Sequence, residues 1–131
     1  MPLALAGQRE QALVAFEQVA TALPGTAYGS VSLFLSRALQ GEAEGAVRHV
    51  TRQLEQAAYW TEYLALFLAD GYSLIGHRDT ALQWLRTAVD RGFVNYPYLA
   101  KHDPFLESLR GDMAFDALME EVQRRWAEFE S

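Results

Sequence analysis

The sequence predicts an all-α fold of antiparallel helical hairpins closed by a C-terminal capping helix, and three observations predict it. Gly7, Gly41 and Gly76 are each followed five residues later by an alanine, Ala12, Ala46 and Ala81, so the pattern recurs at 34 and then 35 residues. Four residues beyond each alanine stands an apolar side chain, Phe16, Val50 and Leu85, which shares a helix face with it. The aromatic stretch 59–68 has the composition of a strand, yet Trp60, Tyr63, Leu64, Phe67 and Leu68 fall at helical intervals and not in alternation.

From these signals, helices are expected at about residues 8–22, 27–40, 43–57, 60–75 and 78–91. Each of the three glycines is read as the left-handed residue that ends a first helix, after which a tight turn folds the chain back into a second one. Ala12, Ala46 and Ala81 then let the paired helices approach closely. Pro24 closes the first copy, because proline cannot continue a helix.

Beyond residue 91 the pattern changes. Phe93, Tyr96 and Tyr98 gather around Pro97, which blocks a continuous helix and marks 92–102 as an aromatic connector. Asp103 followed by Pro104 starts a short helix running to about Leu109, the carboxylate capping free N–H groups and the proline taking the first helical position. Gly111 and Asp112 restart the chain into a last helix, whose apolar stripe is Phe115, Leu118, Met119, Val122, Trp126 and Phe129. Glu120, Glu121, Arg124, Arg125 and Glu128 fall largely on the opposite side, so this helix is expected to cap the helical stack with a polar outer face.

The repeat resembles the tetratricopeptide repeat, a helix-turn-helix unit of about thirty-four residues. The third copy carries the resemblance best, with Leu68, Ala69, Tyr72, Gly76, Ala81, Leu85 and Ala88 at the family's packing positions. The second departs from it at Phe34, Arg37 and Gln53, and the first keeps Gly7, Ala12, Phe16 and Pro24 but lacks most of its first helix, so the chain reads as a segment of a longer protein. The resemblance implies a short right-handed α-solenoid forming one domain, with a partial repeat at 1–25, repeats at 26–59 and 60–93, and connector and capping helices at 94–131. The run 92–129 is similar to the ends of repeat regions at the C-termini of large bacterial signalling proteins. In this family the first helices line a concave groove, which here implies a partner-binding surface of Tyr28, Val31, Ser32, Leu35, Tyr63, Phe67, Asp70 and Ser73.

Composition narrows the partners. A net charge of -6, with one lysine and no basic stripe among the arginines, disfavours a nucleic-acid backbone or an anionic membrane surface. The chain has no cysteine, hence no disulfide or thiolate chemistry, which fits a reducing cytoplasm. No run approaches the roughly eighteen apolar residues of a membrane span.

Catalytic and metal readings find little support in the residues. His102 and Asp103 are adjacent as in metal-dependent phosphohydrolases, but His49 and His77 supply no matching ligand set, and Asp103 reads better as a helix cap. Glu42 with Glu44, and Glu120 with Glu121, diverge around a helix axis instead of facing one substrate. The serines lack a nucleophile elbow, and no phosphate-binding glycine loop occurs. No catalytic residue, cofactor or metal is expected, and the function expected is the binding of a protein or peptide. The alternatives are a homo-oligomer formed through Leu3, Leu5, Leu13 and Phe16 at the N-terminal end and, ranked last, a small-molecule sensor or enzyme using the connector around Phe93 and Tyr98.

Overall fold

Helix-favouring runs separated by glycine, proline and capping residues give seven α-helices among the described residues, and no strand. The structure, a computed structural model, describes residues 3–130, without the side chains of 3–9, 101, 102, 104, 129 and 130. The helices are α1 (Leu3–Ala22), α2 (Ala27–Leu39), α3 (Ala43–Val47), α4 (Arg52–Trp60), α5 (Glu62–Leu74), α6 (Arg78–Asp90) and α7 (Met113–Glu130). A π-helical turn (Tyr98–His102) and a 3₁₀ helix (Pro104–Leu109) lie between α6 and α7. Packing gathers them into two compact units, Met1–Ala57 and Ala58–Ser131. No described helix is long and apolar enough to cross a membrane.

In the first unit α1 packs on α2, and α2 on α3. Thr26 caps α2, its hydroxyl accepting from Gly29 N–H at 3.1 Å and donating to the Leu23 carbonyl at 2.7 Å. Gly29 sits so close under this turn that a Cβ there would overlap the Leu23 carbonyl oxygen. The buried face of α2 carries Val31, Phe34, Leu35, Ala38 and Leu39. Two expectations are corrected here. Gly7 makes no turn: α1 runs through it from Leu3, because the alanine, leucine, glutamine and glutamate around it favour helix by more than the roughly 1 kcal/mol that one glycine costs. The single helix expected over 43–57 is two, α3 and α4. Val47, Val50 and Thr51 are β-branched and stiff in a helix, and the Thr51 hydroxyl instead takes the Leu54 N–H at 3.1 Å to start α4.

In the second unit α5 is buried over most of its circumference, with Leu64, Ala65, Leu66, Leu68, Ala69 and Tyr72 all enclosed, which makes it the central helix. It begins at Glu62 and not at 60, since Thr61 is extended and breaks the chain after α4. Helix α6 packs on it through Ala81, Leu85, Ala88 and Val89, small residues alternating with large ones. The 3₁₀ helix also packs on α5, burying Leu106 and Leu109, and α7 packs on α6. Asp112 caps α7, its Oδ1 accepting from Ala114 N–H at 2.8 Å. The stripe Phe115, Leu118, Met119 and Val122 is buried and Trp126 half-buried, while the Phe129 side chain lies outside the described residues. Glu121 and Arg125, expected on the polar face, instead meet α6: Glu121 pairs with Arg86 at 2.7 Å, and Arg125 lies 3.9 Å from Asp90.

The turns at Gly41 and Gly76 are built alike. Glu42 N–H bonds the Arg37 carbonyl at 3.0 Å and His77 N–H the Tyr72 carbonyl at 2.9 Å, and the glycines between adopt φ of 79° and 81°. Each is the left-handed closure that ends a first helix and starts the second. The one-turn step back continues in both, from Ala46 N–H to the Glu42 carbonyl and from Ala81 N–H to the His77 carbonyl.

Candidate functional site

Two clusters in the second unit hold the unusual chemistry. The first is closed. Asp70, in the third turn of α5, is 3% exposed, and Asp103, which caps the 3₁₀ helix, is 0% exposed. Asp103 Oδ1 accepts from Phe105 N–H at 2.9 Å, whereas Asp103 Oδ2 and Asp70 Oδ1 are buried with no hydrogen-bond partner among the described residues. Burial first, then a hydrogen bond to Asp103 and its charge, hold the Asp70 carboxyl well above the usual aspartate range. The neutral form of the Asp70 carboxyl is therefore favoured over the ionised one.

Neighbouring groups fix this pair in place. Ser73, one turn after Asp70, meets Ser108 of the 3₁₀ helix with the two hydroxyls 2.7 Å apart. Arg110 spends its donors on the carbonyls of Ala100 at 3.0 Å and Asp103 at 2.8 Å. Burial chiefly, then the charges of Asp103 and Asp70, push the Tyr98 hydroxyl up as well. Both carboxyls are almost wholly shut off from solvent.

The second cluster is open. Tyr59, Trp60 and Tyr63 are large aromatic side chains exposed by 53%, 71% and 53% where α4 meets α5. Arg91, just after α6, donates from Nε to the Tyr59 carbonyl at 2.7 Å and lays its guanidinium 5.0 Å from the Tyr59 ring centre and 4.5 Å from that of Trp60. Beside it a cleft of about 280 Å³ is lined by Glu62, Tyr63, Phe93, Asn95 and Trp126, with Gly92 and Val94. Phe93 stands edge-on between Tyr63 at 5.8 Å and Tyr98 at 6.1 Å, so a chain of rings runs from the cleft towards the acid pair.

The groove residues expected from the sequence fall into two groups. Tyr28 and Tyr63 are exposed and Phe67 is half-buried, whereas Val31, Ser32, Leu35, Asp70 and Ser73 are all buried. Tyr28, Val31, Ser32 and Leu35 belong to the first unit and the other four to the second. Asp70 and Ser73 come together with Asp103 and Ser108, a cluster that no spacing along the chain announces. Tyr63 joins the cleft, whose Glu62, Asn95 and Trp126 were not singled out as binding residues in the sequence. The side chains of Leu3, Leu5 and His102 lie outside the described residues, and Leu13 and Phe16 are half-buried. No group of three or more His, Cys, Asp or Glu side chains that would hold a metal ion occurs among the described residues.

No family model matches the chain, and neither does any curated protein or solved structure.

Proposed function

We propose that this chain is a protein-interaction module, a short right-handed α-solenoid related to the tetratricopeptide repeat, that holds a partner polypeptide and performs no catalysis. The observation that carries the reading is the exposure of Tyr59, Trp60 and Tyr63 beside an open cleft in the second unit. Amphipathic aromatic rings left in water are the side chains that anchor interfaces, because each buries a large area with few rotors to freeze. The near-identical Gly41 and Gly76 turns support the repeat relationship. A cytoplasmic setting, within a longer bacterial signalling or regulatory protein, is part of the same proposal and rests on the sequence resemblance.

The test is a photo-crosslinking residue placed at position 60 in source cells, followed by calorimetry of the purified chain with the captured partner. A partner that binds the wild type and binds Tyr63→Ala at least about tenfold more weakly, with helicity unchanged, is the expected result. A mass that rises with concentration in light scattering, with no heterologous partner bound, would replace this reading with self-association.

A further inference from the structure

We infer that the cleft between the first turn of α5, the segment 92–95 and α7 receives the cationic side chain of an arginine or lysine in the partner polypeptide, held against the rings of Tyr63 and Phe93 with Glu62 as its counter-ion. This deepens the reading of the chain as a polypeptide-binding module and rests on it.

Tyr63 and Phe93 stand at 79° to each other with centres 5.8 Å apart, so they form a corner. A cation in such a corner reaches the electron-rich face of a ring, the arrangement by which aromatic groups bind ammonium and guanidinium ions. The Phe93 wall of the corner is braced by Tyr98 at 6.1 Å, and Trp126 completes the lining. Little ordering remains to be done when the ligand arrives.

Glu62 lines the cleft half-buried and forms no ion pair with any described residue. Arg91, adjacent in sequence to the cleft residue Gly92, is engaged with the Tyr59 carbonyl and with the Tyr59 and Trp60 rings. Arg125, the neighbour of Trp126, is engaged with the Val89 carbonyl, Glu121 and Asp90. An apolar guest would cover a carboxylate without compensating it, and an anionic guest would be repelled, whereas a cation satisfies both the acid and the rings. The chain's net charge of -6 draws the same kind of partner from a distance.

A cleft of about 280 Å³ falls just below the roughly 300–1,000 Å³ of sites that hold drug-sized ligands, and suits one long side chain. A free small cation would gain only this contact. A side chain borne on a polypeptide also brings backbone and neighbours to the exposed Tyr59 and Trp60 rings.

The experiment follows backbone and indole N–H resonances of the whole chain by ¹H–¹⁵N NMR during titration with the peptide amide Gly-Ser-Arg-Gly-Ser-Gly. Parallel titrations use the same peptide with citrulline, which keeps the shape of arginine and removes its charge, and choline. The arginine peptide is expected to shift Glu62, Tyr63, Phe93, Asn95 and the Trp126 indole saturably, and citrulline to leave them in place. Glu62→Gln should weaken binding roughly threefold and Tyr63→Leu roughly fivefold, with the dispersion of the remaining spectrum intact. Equal shifts with citrulline, or wild-type affinity in both variants, overturn the inference. Choline binding as tightly as the peptide overturns it too, by assigning the cleft to a free small cation. A crosslinked partner that needs Tyr63 but tolerates replacement of all its basic residues by glutamine would sink this inference alone, while absence of any polypeptide partner would sink it together with the proposed function.

Discussion

The Asp70 carboxyl on α5 is buried beside that of Asp103, the cap of the 3₁₀ helix, so an acid of the central helix meets the start of a separate element. Two like groups enclosed together cannot both ionise cheaply, so the neutral form of Asp70 is favoured.

Stability should therefore fall as pH rises. In the unfolded chain Asp70 ionises near 3.8, whereas in the fold burial and Asp103 raise its pKa well above that. Below 3.8 both states hold the proton and its contribution is fully present. Above it the unfolded state gives up the proton first, so stability is lost progressively until the folded group ionises, at up to about 1.4 kcal/mol per pH unit. Asp70→Asn keeps a donor to Asp103 and cannot ionise. In urea unfolding the variant should match the wild type near pH 4 and exceed it by a margin that grows as pH rises towards 8. A difference that does not grow with pH would refute the raised Asp70 pKa.

Local chemistry explains which parts of this arrangement are legible in the sequence. The Gly41 and Gly76 turns and the Asp103 cap each depend on a few consecutive residues and lie where the residues predict, and Phe115, Leu118, Met119 and Val122 of the α7 stripe are buried as their helical spacing implies. Gly7 shows the limit of the same reasoning: glycine permits a left-handed turn but does not demand one, and in a run of good helix formers the helix continues. The break between α3 and α4 hinges on β-branched residues that spacing alone overlooks. The acid pair and the cleft join residues from α5, the connector and α7 through packing, and neither Asp70 with Asp103 nor Tyr63 with Trp126 leaves a local signal.

Binding and folding should separate at the aromatic surface. Trp60 is 71% exposed and its described ring contacts are to Tyr59 and the Arg91 guanidinium. Trp60→Ala is expected to cost no more than about 1 kcal/mol of stability while weakening partner binding, as thermal unfolding and calorimetry on the same variant would show. A loss of several kcal/mol would mean that the ring belongs to the core.

Two glycines should respond to alanine for different reasons. Gly76 has open space around it and a φ of 81°, so Gly76→Ala meets only backbone strain, about 1–2 kcal/mol. At Gly29 the added methyl would drive into the Leu23 carbonyl, which accepts from the Thr26 hydroxyl at 2.7 Å. Gly29→Ala should thus cost about 1–3 kcal/mol and loosen the α1–α2 turn in the first unit. Amide exchange reads this locally: protection at Gly29 and Ser30 should fall while that of α5 and α6 holds. Unchanged protection there would show that α1 shifts freely to make room.

The charges joining α6 and α7 should matter little one by one. Arg86 lies 3.4 Å from Asp90 and 2.7 Å from Glu121, and Arg125 reaches both acids, but these side chains are a quarter to a half exposed. Water and salt screen such pairs, so Glu121→Gln should cost less than about 1 kcal/mol, and the cost should vanish in molar salt. Arg125 differs because its guanidinium also donates to the Val89 carbonyl at 3.1 Å, at the end of α6. That carbonyl already accepts from Gly92 N–H at 3.0 Å, so it keeps one partner when the arginine is removed. Arg125→Ala should therefore cost about 0.5–1.5 kcal/mol, of which a part persists in high salt because a neutral carbonyl acceptor is not screened as an ion pair is. If the whole cost disappeared with salt, the Val89 hydrogen bond would contribute nothing to holding α7 on α6.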